Sequence, residues 1–291
     1  MDWIAAWQAD LELRGLKATV GYVGHARRFI AFCPAPLEQV GRPELRAYLA
    51  HLKARELAPG SIERAFIALS SLYAFLVEEG EVETNPVPNF RKKYLKPYQN
   101  APRQLISVED ASRLVASILN ARDRAIILLL FKTGMRLNEL TALDLDSLSL
   151  SKMEVVLKPT AKRTNRLLFF DYEAADALGA WLRARANIPH GDALFPSREA
   201  ERISGLTVDR MVAQRAAAIG LHKPGGREEE RFTPHCCRHW FTTHLLRAGM
   251  RREYVQWLRG DRITEAIDIY FRIDPEDVRD AYMACAPQLG V

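Results

Sequence analysis

Phe232-Thr233-Pro234-His235-Cys236-Cys237-Arg238-His239-Trp240-Phe241-Thr242-Thr243-His244 reads as the opening of a helix. Threonine is a favourable cap, and proline at the first helical position gives up only an N–H that has no intrahelical partner there. The spacing predicts a helix from Thr233 to Ala248. His235 and Arg238 then share one face of its first turns, at the positive end of the helix dipole, where a phosphate is favoured. Taken alone, the pair reads more simply as a surface His and Arg beside a loop. A zinc site built from His235, Cys236, Cys237 and His239 is excluded by geometry. Adjacent helical residues point about 100° apart, too far for these four to meet on one tetrahedron. No metal or other cofactor is expected. The Trp240-Phe241 pair reads as core.

Two further stretches complete a chemical pattern. Thr133-Gly134-Met135-Arg136 supplies a cation just past the end of the apolar run Ala125 to Phe131, and Ala266-Ile267-Asp268-Ile269-Tyr270 supplies a tyrosine. Two arginines can neutralise the oxygens of a phosphoryl transition state, and a tyrosine can attack phosphorus to give a covalent intermediate. The phenol's ordinary pKa is about 10, so neighbouring cations or a base must favour its ionised form. By itself Tyr270 reads as a helix tyrosine packing with Ile267.

Around these motifs the pattern predicts a mainly α fold with a small β-sheet. In Ser61 to Gly80, Ile62, Phe66, Leu69, Tyr73 and Leu76 recur at three- and four-residue steps, the mark of one buried helix face. Ser61 is the expected cap and Gly80 the expected stop. Similar patterns at Trp3 to Leu13, Val20 to Phe32 and Pro43 to Lys53 complete a small helical bundle. Ser107 with Asp110 resembles a capping box that opens a second domain. There Met153 to Leu157 and Arg166 to Phe170 predict a β-hairpin. Helices are expected at Asp171 to Ala186, Thr207 to Gly220, Arg252 to Leu258 and Thr264 to Phe271. The tail from Asp274 to Val291 carries Val278, Tyr282 and Met283 at helical spacing, to pack either on its own domain or on a neighbouring protomer.

The expected organisation is a helical domain over residues 1–90, an extended basic linker over 91–105 and a catalytic domain over 106–291. No acidic residue occurs from Thr84 to Val108, a stretch that holds Arg91, Lys92, Lys93, Lys96 and Arg103 together with four prolines. It is either a solvated loop or a strand that tracks DNA phosphates. The net charge of +5 over 291 residues favours an anionic partner without specifying one. The apolar run at Ala125 is too short to span a bilayer, and Met1-Asp2-Trp3 lacks a signal-peptide pattern, so a cytoplasmic location without membrane contact is expected. The four cysteines have no C-x-x-C spacing and are expected to be reduced.

The run from Phe232 to His244 resembles the H-x-x-R box of the tyrosine recombinases, the phage integrase and Xer family. Thr133 to Leu140 resembles that family's first arginine box, and Ala266 to Tyr270 its nucleophile box. The N-terminal helical region, ending in Asn85-Pro86, resembles the family's core-binding domain. The resemblance implies that Arg136 and Arg238 hold the scissile phosphate, that His235 hydrogen-bonds it and assists proton transfer, and that Tyr270 attacks to give a 3′-phosphotyrosine. It also implies a lysine general acid on the hairpin, assigned to Lys162 with Lys158 as the alternative, and a bracing role for Glu139. Arg91, Lys92, Lys93 and Lys96 would contact DNA. It further implies a two-domain clamp on double-stranded DNA, without metal or ATP, and a homotetramer on two sites, with a monomer or dimer off DNA. One position departs from the pattern. The family's Leu-Gly-His is replaced by Leu258-Arg259-Gly260-Asp261, and an ionised Asp261 cannot donate to a phosphate. It would instead orient Arg238, Arg259 or Arg262, or tie down its loop. This variant resembles an archaeal or archaeal-virus branch. A type IB topoisomerase, which uses the same chemistry, and a non-cleaving DNA-binding accessory protein are the alternative readings.

Overall fold

The computed structural model describes residues 2–16, 18–95, 103–160, 163–186, 191–197, 201–261 and 273–291. The chain divides into two compact units, Met1–Asn100 and Ala101–Val291. Unit 1 contains α1 (Trp3–Leu13), α2 (Thr19–Phe32), α3 (Arg42–Ala54), α4 (Pro59–Glu78) and α5 (Val87–Tyr94). Asp2 caps α1 by accepting from the amides of Ile4 and Ala5, both at 3.1 Å. The periodic set on α4, Ile62, Phe66, Leu69, Tyr73 and Leu76, is buried against Trp7, Phe29 and Tyr48. By length and composition α4 could cross a bilayer, but that apolar face is the centre of this bundle.

Two expectations for unit 1 are corrected. Ser61 does not cap α4. The helix starts two residues earlier with Pro59 in its first turn and Ala58 at the cap position, because proline's fixed φ suits the first turn. Gly80 does follow the helix end, at φ +76°. The stretch expected to be an extended linker from residue 91 is helical through Tyr94. Pro86 and Pro88, read as breakers, lie at the start of α5, where a missing N–H costs nothing. Phe90 anchors the helix by stacking on Phe66 at 5.4 Å. Arg91 pairs with Glu63 of α4 at 3.7 Å, leaving Lys92 and Lys93 exposed on the last turn. Lys96 lies outside the described residues.

Unit 2 is built around α7 (Ala121–Thr133), apolar on every side and buried from Ala125 to Thr133. It follows α6 (Val108–Ala116), which Ser107 caps by accepting from the Asp110 amide at 3.0 Å. After α8 (Leu137–Thr141) come β1 (Leu148–Ser149), β2 (Glu154–Val156) and β3 (Leu167–Phe169). They form an antiparallel sheet in that order, with Val155 opposite both Leu148 and Leu168. The expected hairpin is β2–β3. The two-residue β1 is too short to leave a periodic trace. The remaining helices are α9 (Tyr172–Arg185), α10 (Gly205–Ala218), α11 (Pro234–Arg247), α12 (Arg252–Arg259) and α13 (Pro275–Cys285). The helix expected over residues 264–271 lies outside the described residues. Helices α9 and α11 pack on α7, where Trp240 meets Phe131 edge-on at 4.9 Å.

The C-terminal tail packs on its own unit. Val278 and Tyr282 of α13 are fully buried, and the Tyr282 hydroxyl donates to the Lys132 carbonyl at 2.8 Å. The Lys132 ammonium, also buried, donates to Asp171 at 2.6 Å, to Glu173 at 2.5 Å and to the Pro287 carbonyl at 2.6 Å. Glu173 in turn accepts from the backbone amides of Leu289 and Gly290.

Candidate active site

The site starts where α7 stops. Gly134 adopts φ +58°, and a Cβ there would come within 2.4 Å of the Phe241 ring. Only glycine meets both demands, so the chain can turn sharply beneath α11. Met135 is buried at that turn, and Arg136 sits at the cap of α8. Glu139, 5% exposed, accepts from the Arg136 amide at 2.8 Å and pairs with its guanidinium at 3.2 Å.

Helix α11 delivers the second part. Thr233 occupies the cap position and Pro234 the first turn, as the motif implies. The threonine hydroxyl does not cap a backbone amide, however. It lies 3.6 Å from the Cys236 thiol, which also accepts from the Thr233 amide at 3.4 Å. Cys237 is fully buried, which pushes its thiol pKa well up and leaves it inert. Among the described residues no cluster of three or more His, Cys, Asp or Glu side chains converges as a metal site. His244 lies against Trp240 with ring centroids 4.6 Å apart and contacts the Ile106 carbonyl at 3.3 Å, a packing position.

Arg238, 4% exposed, reaches back to the α7 turn and donates to the Gly134 carbonyl at 2.7 Å. It also donates to the Arg259 carbonyl at 3.0 Å. Arg136, His235 and Arg238 therefore line one cleft of about 270 Å³, together with Arg103 and Asp209. Burial, then repulsion from Arg136 and Arg259, presses the Arg238 pKa down to about 9, with Asp261 acting in the opposite direction. It remains a cation at neutral pH. His235 faces the cleft mouth. Lost hydration, then the charges of Arg103, Arg238 and Arg259, push its pKa down to about 4. At neutral pH it is an uncharged imidazole with one donor and one acceptor.

Two further arginines share carboxylates with Arg136 and Arg238, neither of them assigned a role from the sequence. Arg259 donates from Nε to Asp261 at 2.7 Å and from Nη1 to the Thr242 hydroxyl at 3.1 Å. Arg163 is buried and pairs with Glu139 at 3.2 Å. It donates to the Arg259 carbonyl at 3.0 Å and to the Leu258 carbonyl, binding the connection between β2 and β3 to the end of α12. Burial lowers its pKa, with Glu139 as the largest opposing influence. Gly260, at φ +62°, has no room for a Cβ, which would fall 2.3 Å from Arg163 Cγ. Asp261 contacts Arg136, Arg238 and Arg259. Lys158 pairs with Asp144, which also takes Arg202. Lys162 and Tyr270 lie outside the described residues.

Unit 1 has a cleft of its own, about 710 Å³, lined by His25, Arg28, Phe32, Tyr48, His51 and Arg55 among others. His51 lies against the Phe32 ring at 4.6 Å, and His25 Nδ1 is 3.0 Å from Arg28. Burial, then Arg28 and Arg64, lower the His25 pKa. Neither histidine stood out in the sequence, because the cleft draws on three helices whose basic residues are scattered along the chain.

Comparison with known proteins identifies the family and the fold. Residues 103–277 match the phage integrase family, and residues 3–80 match the N-terminal SAM-like domain of phage integrases. The chain is 31% identical to the tyrosine recombinase XerC of Chromohalobacter salexigens over 255 residues, covering 84% of this chain and 80% of that protein. It is 29% identical to XerC of Leptospira interrogans over 271 residues, covering 89% and 84%. Its fold resembles the Tn1549 transposon integrase in complex with circular intermediate DNA, with TM-score 0.73, 16% identity and 97% and 99% coverage. It also resembles a lambda integrase dimer bound to a COC′ core site, with TM-score 0.68, 20% identity and 94% and 98% coverage. The chain belongs to the phage integrase family and is a tyrosine-type site-specific recombinase.

Proposed function

We propose that the cleft of unit 2 holds the scissile phosphodiester of double-stranded DNA and that the chain cleaves and rejoins DNA there by transesterification. The observation that carries this reading is the convergence of Arg136, His235 and Arg238 on one cleft from elements about a hundred positions apart in sequence. Arg136 and Arg238 bind the non-bridging oxygens and stabilise the charge that develops on them in the transition state. Neutral His235 donates one hydrogen bond to the phosphate and can accept a proton in transit. The Tyr270 phenolate oxygen forms the new bond to phosphorus, and the bond to the 5′ oxygen breaks. Lys162 delivers the proton to that leaving 5′ hydroxyl. The 3′-phosphotyrosine retains the energy of the broken diester, and reversal onto another 5′ hydroxyl rejoins the strand, so the reaction calls for neither metal nor ATP.

Unit 1 supplies a second DNA contact. Its basic cleft and the exposed Lys92 and Lys93 on α5 suit the phosphate backbone. Arg91 is partly committed to Glu63, so its contribution is smaller than that of the two lysines. Recombination joins four protomers on two sites in the cytoplasm, with a monomer or dimer off DNA. The test begins by trapping and sequencing DNA bound covalently to the protein in cells. A nicked duplex carrying that site should then yield a covalent complex with the wild type and none with Tyr270→Phe. No adduct with the wild type would sink the reading. Joined products from two different duplexes separate recombination from relaxation alone.

A further inference from the structure

Asp261 stands where the family pattern places a histidine, and its carboxylate sits inside the arginine cluster. Oδ2 lies 2.7 Å from Arg259 Nε, while Oδ1 lies 3.4 Å from Arg238 and 3.6 Å from Arg136. One oxygen is thus shared between the two guanidiniums assigned to the phosphate. That is the arrangement a non-bridging phosphate oxygen would adopt. The two sides of the carboxylate differ in quality. Arg259 is held at an ordinary charge-assisted distance, whereas the Arg136 and Arg238 contacts are long. A phosphate oxygen that reaches those two arginines at about 2.8 Å makes the stronger bonds.

The backbone fixes the carboxylate in this place. Gly260 turns left-handed against Arg163, the Asp261 amide donates to the Gln256 carbonyl at 3.2 Å, and Thr164 donates to the Asp261 carbonyl at 3.1 Å. Glu139 holds only the Arg136 side, at 3.2 Å from its guanidinium, and is also engaged by Arg163 and by the Arg136 backbone, whereas Asp261 reaches both Arg136 and Arg238. An ionised Asp261 beside a bound phosphate would repel it, so the long contacts must be given up when substrate enters.

We propose that Asp261 is a resident counter-anion: it gathers Arg136 and Arg238 before substrate arrives, and the scissile phosphate binds by displacing Oδ1 from them while Oδ2 retains Arg259. This rests on the reading of the cleft as the phosphate site, and it makes Asp261 a positioning residue that sets the threshold for phosphate entry. The full chain is titrated with inorganic phosphate against chloride at matched ionic strength, following calorimetric binding and the thermal midpoint. Asp261→Asn removes the competing charge and should bind phosphate about tenfold more tightly, since one unit charge at this range is worth at least that much. Its midpoint should start below the wild type without phosphate and rise more steeply as phosphate is added. Asp261→Ser provides the same comparison should the asparagine variant fold poorly. Equal or weaker phosphate binding by the folded variants overturns the proposal. Arg238→Ala distinguishes the two levels. If Arg238→Ala binds phosphate as well as the wild type does, the cleft is not the phosphate site and the reading beneath the proposal fails instead.

Discussion

Unit 2 contains two charged clusters that use the same chemistry for opposite ends. Around Lys132, one ammonium meets two carboxylates, and the spare carboxylate lone pairs are taken by backbone amides of the tail. Around Arg238, four arginines, Arg136, Arg163, Arg238 and Arg259, share two carboxylates, Glu139 and Asp261. The first cluster is closed and its donors are spent on the protein. The second keeps an excess of positive charge at the wall of a cleft. The two clusters thus differ less in residue type than in whether an excess of positive charge is left at a cleft wall.

The sharpest way to test that contrast is Lys132→Met. It leaves Asp171 and Glu173 without their cation in a dry site and should cost about 3–5 kcal/mol of stability. The loss should appear in the urea denaturation of unit 2, while DNA affinity at a temperature where the chain is folded stays unchanged. An equal loss of DNA affinity would erase the distinction. The counterpart is Arg238→Ala, which should slow covalent adduct formation by about 10²–10³ with a much smaller effect on folding. Arg238→Lys should recover little of that rate, because an ammonium cannot reproduce the guanidinium fork.

Gly260→Ala tests the frame of the second cluster. The added Cβ collides with Arg163 at a left-handed position and should cost about 1–3 kcal/mol, with adduct formation falling alongside the thermal midpoint as the strut shifts. His235 gives a pH-dependent check. Its pKa is about 4 in the folded chain against about 6.5 unfolded, so between those values the unfolded chain carries a proton that the folded chain lacks. The stability linked to His235 is complete above the unfolded value and declines as pH falls toward the folded one. The His235 ring signals in NMR should titrate near the lower value and move upward when inorganic phosphate is added. A midpoint at the ordinary histidine value would mean that neither burial nor the surrounding cations act on it. The smallest effect is expected in unit 1. Arg28→Ala or Arg55→Ala should weaken binding to arbitrary duplex and reduce the slope of log affinity against log salt by about 1 each.

Much of this molecule was legible from local rules. The buried stripe on α4, the all-round apolar α7, the stop at Gly134 and the start at Pro234 follow from periodicity, caps and breakers, which act within a few residues. The same rules misjudged α5. Two prolines near a helix start resemble two prolines that prevent a helix, and only the stacking of Phe90 on Phe66 distinguishes them. They misjudged the cap of α4 for a similar reason, since Pro59 could serve where Ser61 was expected.

The sequence by itself determined the helical framework, because caps, breakers and periodicity act within a few residues, and its motif spacing singled out Arg136, His235 and Arg238, which the fold brings to one cleft. Tertiary structure decided the rest. It bound the tail to its own unit through Lys132, turned Arg163 into a buried strut, paired Arg259 with Asp261 and placed the Asp261 carboxylate between Arg136 and Arg238. These are contacts between residues far apart in sequence, and their strength depends on burial and on distance in space, neither of which a local pattern encodes.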